Sequence, residues 1–214
     1  MRSLSVPRLL FVIVLFFSVH FGATAQKQVA ASSSEILHAM KRLNVLGTVM
    51  YIAAHPDDEN TRLLAYMARD RNYKTAYLAM TRGDGGQNLI GDEQGIELGL
   101  IRTQELLAAR RVDGAEQFFT RAYDFGFSKR TEEALTMWDK QKVLADAVWV
   151  IRNFKPDVII TRFPEDSRAG HGHHSGSAVI AREAFVAAAD PNMFPEQFKF
   201  GVGPWKAKRI MWNT

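Results

Sequence analysis

Val49-Met50-Tyr51-Ile52-Ala53-Ala54-His55-Pro56-Asp57-Asp58-Glu59 is an apolar run that stops abruptly at an imidazole, a proline and three acids. A short continuous apolar stretch of this kind reads as a strand buried on both faces, as in a parallel sheet. In open α/β sheets ligands gather in the crevice outside the carboxyl ends of the strands. The polar cluster has that address. His55 and Asp58, three residues apart, can converge on one divalent ion from a strand-to-helix turn, while Asp57 points elsewhere and stays available for proton transfer. An acidic start to the following helix would use the same residues, because carboxylates suit the positive end of a helix dipole.

A second cluster points back to chemistry. Gly170-His171-Gly172-His173-His174 follows the apolar run Val158-Ile159-Ile160-Thr161 and holds three of the six histidines. His171 and His174 are spaced i, i+3, and both rings can face one side if a helix begins nearby. Two such clusters, each closing a strand, favour a metal site.

Together these motifs resemble the zinc-dependent N-acetylglucosaminyl deacetylases of the PIG-L/LmbE type. The resemblance runs from about Val49 onward and takes in Thr81-Arg82-Gly83-Asp84-Gly85-Gly86 and Ile101-Arg102-Thr103-Gln104-Glu105. It implies His55, Asp58 and His174 as ligands of one Zn2+, Asp57 as general base, and His171 as partner of the oxyanion or leaving amine. Arg102 is implied as a substrate contact. Two imidazoles and a carboxylate suit catalytic zinc, which keeps three protein ligands and an open position for water; Fe2+ fits the same donors. Family members often carry aspartate as the third residue of the second motif, where this chain has His173. Its orienting role then passes to Glu165 or Asp166, or His173 is itself the functional ring in a shifted register. His174 ranks above His173 as ligand because only His174 completes the spacing with His171.

Around the clusters the pattern alternates. Strands are expected at Thr48 to Ala54, Lys74 to Met80, Ala115 to Thr120, Val158 to Thr161 and Arg209 to Trp212. Helices are expected at Asn60 to Arg69, Ile96 to Arg111, Trp138 to Asn153 and Ser177 to Ala189. The second of these should place Leu100, Leu107 and Val112 on or near its buried face. Alternation of this kind predicts an α/β, Rossmann-like three-layer fold with a mostly parallel sheet of about five strands. Ser32 and Glu35 form a capping box, with Ile36, Met40 and Leu43 along one face of an entry helix.

The chain has 214 residues, 47% hydrophobic and 23% charged, enough for one core. Arg2 and Arg8 before the apolar stretch Leu9 to Phe17, and Ala23-Thr24-Ala25 after it, read as a secretory signal peptide cleaved after Ala25. The stretch is shorter than a spanning helix, so no stable membrane span is expected after cleavage. The domain reading is a leader at 1–25, an entry helix within 26–46 and a deacetylase-like domain at 47–214. The last residues form a strand with no closing helix, which suggests the leading part of a longer protein. There is no cysteine, so stability rests on packing. A formal charge of +4, with basic residues scattered, argues against nucleic acid. Arg110-Arg111 reads as the solvated end of a helix.

The glycine-rich loop from Arg82 to Gly95 follows a strand on the same edge. It reads as substrate-side, with Asp84, Gln87 and Asn88 able to bond sugar hydroxyls. Phe163 and Tyr123-Asp124-Phe125 could form a sugar platform or belong to the core. The expected function is a secreted or periplasmic hydrolase that removes the N-acetyl group from an N-acetylated amino sugar or glycan, with a metal-activated water as nucleophile. A non-catalytic glycan-binding module with a retained metal site, and a metal-dependent acetyl esterase, are the alternatives.

Overall fold

The computed structural model describes residues 31–214. The leader read at 1–25 lies outside the described residues. Packing divides the chain into two units, Met1–Ala39 and Met40–Thr214. Helix α1 (Ser33–Arg42) runs across that boundary. It opens on the expected capping box: Glu35 N donates to Ser32 Oγ at 3.3 Å, and Ser32 N donates to Glu35 Oε2 at 2.7 Å. Its apolar stripe is not inward, however, and Ile36, Met40 and Leu43 are all exposed. No helix among the described residues is long and apolar enough to cross a membrane.

The second unit is built on a sheet of five strands, β1 (Thr48–Ala53), β2 (Lys74–Ala79), β3 (Glu116–Phe119), β4 (Val158–Thr161) and β5 (Arg209–Trp212), in the order β3-β2-β1-β4-β5. Every pairing is parallel. The α/β expectation is met, with helices on both faces. β1 explains why its sequence is apolar without alternation. Met50 and Ile52 enter one core beside residues of α5 (Lys140–Phe154) and α6 (Gly172–Ala187), whereas Val49, Tyr51 and Ala53 enter the other beside α2 (Thr61–Ala65) and α3 (Ile96–Asp113). Successive side chains of a strand alternate between faces, so a strand covered on both needs apolar residues throughout. The chain leaves β1 toward β2 on one side and reaches β4 on the other, which makes the gap between β1 and β4 the topological switch point.

Three expectations are corrected. α3 is rotated from the predicted face. Leu100 and Val112 are exposed and Leu107 is marginally so, whereas Leu98, Leu106, Arg110 and Asp113 are buried. The inward face is polar at its end because Arg110 is no solvated terminus. Its guanidinium bonds Asp113 at 2.6 Å and Glu59 at 3.0 Å, with all three side chains almost wholly buried. Second, α4 (Thr131–Met137) precedes α5, and Asp139 at φ 55° breaks the chain between them. A seven-residue helix is too short for its period to be read. Third, α6 begins at Gly172, ahead of the expected Ser177, so His173 and His174 lie in its first turn.

Glu59, the last acid of the first motif, therefore ties the β1–α2 turn to α3. Glu59→Ala is expected to lower the unfolding free energy by about 1–3 kcal/mol, the cost of depriving a buried charged donor of a partner. Urea unfolding checks this. A change below a few tenths would mean that Asp113 satisfies Arg110 alone.

Candidate metal and active site

At the switch point, the turn after β1 supplies His55, Asp57 and Asp58, the start of α6 supplies His171, His173 and His174, and the segment after β3 supplies Asp124 and Ser128. The end of β1 is fixed by its neighbours: the Tyr77 hydroxyl donates to His55 O, and Thr81 N donates to Ala54 O at 2.9 Å. Asp58 curls back, accepting from His55 N at 2.6 Å and lying 3.2 Å from His55 Nδ1.

His174 stands opposite. Its Nδ1 lies 3.0 Å from Ala169 O, which can only accept, so this nitrogen carries the proton and Nε2 keeps its lone pair. Nε2 is 3.5 Å from Asp58 Oδ1. Phe163 stacks on the ring with centroids 3.8 Å apart and planes 4° apart, fixing its orientation. Ligand atoms of His55, Asp58 and His174 all lie within 4.8 Å of one another. The donor chemistry of this set fits a divalent cation with a vacant position.

His55, His171 and His173 form a second group within the same distance. It fits a cation less well. His173 is fully buried, with ring centroids of Phe125 and Trp138 at 4.4 and 4.8 Å, and Nδ1 of His171 already accepts from the backbone N of His173 at 3.1 Å. His173 instead backs the first group, its Nδ1 lying 3.0 Å from His55 Nε2 and 3.7 Å from Asp124 Oδ1. This is the outer support that metal-binding histidines usually have. Glu165 and Asp166 do not supply it; they pair with Arg182 and Arg168.

The electrostatics follow from burial and neighbours. Burial opposes a proton on His55, but the hydrogen bond and charge of Asp58, helped by Asp124 and Asp57, hold its pKa above the ordinary value. Burial would raise Asp58, yet His55 and His174 hold it below. His171 is pushed down to about 4, first by burial and then by the His174 and His55 rings. Burial, followed by repulsion from the His55, His171 and His174 rings, pushes His173 down to about 3.

Asp57 is exposed, and Arg102 reaches it at 3.3 Å while also meeting Glu105 at 3.2 Å. A cleft of about 620 Å³ is bordered by His55, Asp57, Arg102, His171, Gln87 and Phe127, among others. Asp84 and Asn88 do not join it. The Asp84 carboxylate lies against the Gly99 backbone, and Asn88 closes its own turn by accepting from Ile90 N and Gly91 N at 3.2 and 3.1 Å. Gly85 is pressed against the backbone of Asp124 and Gly126, an approach that any side chain would block. Phe163 and Phe125 back histidines. The exposed aromatic beside the cleft is Phe127, whose ring lies 4.9 Å from His171.

Sequence reasoning missed Asp124 as a site residue and missed Ser128. Ser128 is fully buried, its Oγ accepting from His173 N at 2.9 Å and lying 3.2 Å from His171 Nδ1. The only signal was position, just beyond the third strand on the catalytic edge.

The family model PIG-L, described as GlcNAc-PI de-N-acetylase, matches residues 50–185. The 1D-myo-inositol 2-acetamido-2-deoxy-alpha-D-glucopyranoside deacetylase of Geodermatophilus obscurus is 31% identical over 181 residues, covering 77% of this chain and 60% of that protein. The chain thus spans less than two thirds of this curated relative. Among solved structures, N,N'-diacetylchitobiose deacetylase from Pyrococcus horikoshii superposes with a TM-score of 0.59 at 19% identity, covering 86% of this chain and 70% of that one. The 4-carboxy-2-hydroxymuconate hydratase of Pseudomonas putida gives 0.57 at 17% identity, covering 78% and 64%. At such identities these two speak for the fold alone, and the fold carries more than one chemistry. The sequence match covers both motifs and more than half of the chain, which belongs to the PIG-L family.

Proposed function

We propose that this chain carries the hydrolytic site of a secreted or periplasmic, metal-dependent N-deacetylase that releases acetate from an N-acetylglucosamine-type sugar and leaves the free amine. The observation that carries this reading is the convergence of His55, Asp58 and His174 beside Asp57, an acid outside that set, in one cleft. His55, Asp58 and His174 would hold the metal, with zinc favoured and ferrous iron compatible with the same donors. A divalent ion there supplies Lewis acidity and makes water a nucleophile near neutral pH.

The remaining steps belong to side chains. Asp57, steadied by Arg102, accepts the proton of the attacking water. His171 acts as a neutral donor rather than a cation. Its Nδ1 is occupied by the His173 N–H, so the ring proton sits on Nε2, available to the amide oxygen as charge develops there. Because His171 stays neutral, Asp57, now carrying the water proton, is left to protonate the departing nitrogen. Arg102, Gln87 and Phe127 border the space for the sugar.

The test is acetate release from N-acetylglucosamine oligosaccharides by metal-loaded full-length protein. Release is expected, with loss on chelation and recovery on adding zinc or ferrous iron. Binding without release would assign a glycan-binding module, and turnover confined to acetyl esters would assign an esterase.

A further inference from the structure

A second cavity, of about 420 Å³, shares Asp57, Asp58 and His174 with the catalytic cleft and adds Arg62 and Arg162. Glu59 also lines it, but its acids and these two arginines do not pair with one another. Asp57 is paired with Arg102, Glu59 with Arg110, and Asp58 lies between His55 and His174. Each of these acids thus has a cationic or imidazole neighbour, with Arg102 shared with Glu105 and Arg110 shared with Asp113. Arg62 and Arg162 have no carboxylate within ion-pair distance among the described residues.

Arg162 is also held in place. It follows β4 directly, its N donates to Ile52 O at 3.0 Å, and its O accepts from Trp212 Nε1 at 3.3 Å. Its guanidinium lies 5.9 Å from the ring centre of Phe163, the ring that stacks on His174. A half-buried guanidinium without a counter-charge is suited to a planar anion, which it can grip with two parallel hydrogen bonds.

We propose that this cavity is a subsite for an anionic group, a carboxylate or a phosphate ester, on the part of the substrate adjoining the N-acetylated sugar. Arg162 is the main contact and Arg62 assists. The inference rests on the deacetylase reading and adds a substrate charge to it.

The experiment compares three disaccharides of N-acetylglucosamine whose neighbouring sugar is a neutral hexose, a uronic acid or a hexose phosphate. Full-length, metal-loaded protein is assayed for acetate release, and calorimetry measures binding of the corresponding deacetylated products. At least one anionic form is expected to exceed the neutral one in kcat/KM by roughly tenfold, the scale of one charge-assisted contact, mainly through KM. The uronate and phosphate arms identify the anion. The preference should shrink with salt, approach unity in Arg162→Gln and persist in part in Arg162→Lys. Equal treatment of neutral and anionic compounds, or a preference that Arg162→Gln leaves intact, overturns the proposal. If no disaccharide releases acetate, the deacetylase reading fails, and the products still decide the subsite: Arg162-dependent binding of the anionic ones upholds it, and equal binding refutes it.

Discussion

Asp57→Asn is expected to cut acetate release by roughly 10²- to 10⁴-fold, the usual contribution of a positioned acid-base group, while metal content stays at the parent level. Asparagine matches the shape of aspartate and can still accept a hydrogen bond from Arg102, which lies 3.3 Å from the carboxylate. What it cannot do is take a proton from water. Asp57 is outside the group formed by His55, Asp58 and His174, so this change separates chemistry from metal retention. Steady-state kinetics with elemental analysis of the same sample provide the check. Activity within tenfold of the parent would move the base to another residue.

Asp58→Ala is expected to behave in the opposite way, with metal lost first and activity lost as a consequence. Asp58 lies 3.2 Å from His55 Nδ1 and 3.5 Å from His174 Nε2, and it also accepts the His55 backbone N–H at 2.6 Å. Its removal takes away a donor and the brace that positions the neighbouring ring. Affinity should fall by more than the roughly 10- to 100-fold that loss of an outer partner costs. Chelator competition measures it. The alternative group makes the contrary forecast: were the ion held by His55, His171 and His173, His173→Ala would cost more metal affinity than Asp58→Ala, which would then remove only an outer partner of His55.

The sequence was most informative where one local pattern carried the answer. The apolar run from Val49 to Ala54 had to be doubly covered, and its polar ending had to fall on the sheet's functional edge. His55, Asp58, His171 and His174 could be named because both motifs are short in sequence. Tertiary choices were hidden. Leu100 and Val112 look like core residues of a helix, but the buried cluster of Glu59, Arg110 and Asp113 turns a different face inward. Asp124 approaches His55 and His173 from a separate loop, at 3.9 and 3.7 Å, and nothing near it in sequence announces a partner. Asp84 and Asn88 look like sugar ligands by composition, yet the fold of their glycine-rich loop commits them to backbone neighbours. Reading the second motif by spacing alone also could not reveal that His173 would be walled in by Phe125 and Trp138.

His171 is both a side chain of the cleft and the cap on the first turn of α6. A main-chain amide only gives hydrogen, so while that turn is wound the inner nitrogen must offer electrons and the outer one must bear hydrogen. Unwinding the turn would let the imidazole exchange tautomers and reverse its polarity. Keeping that first turn wound is therefore part of the chemistry. A perturbation that frays this helix start would act twice, on the polarity of the capping imidazole and on the placement of His174 in the same turn.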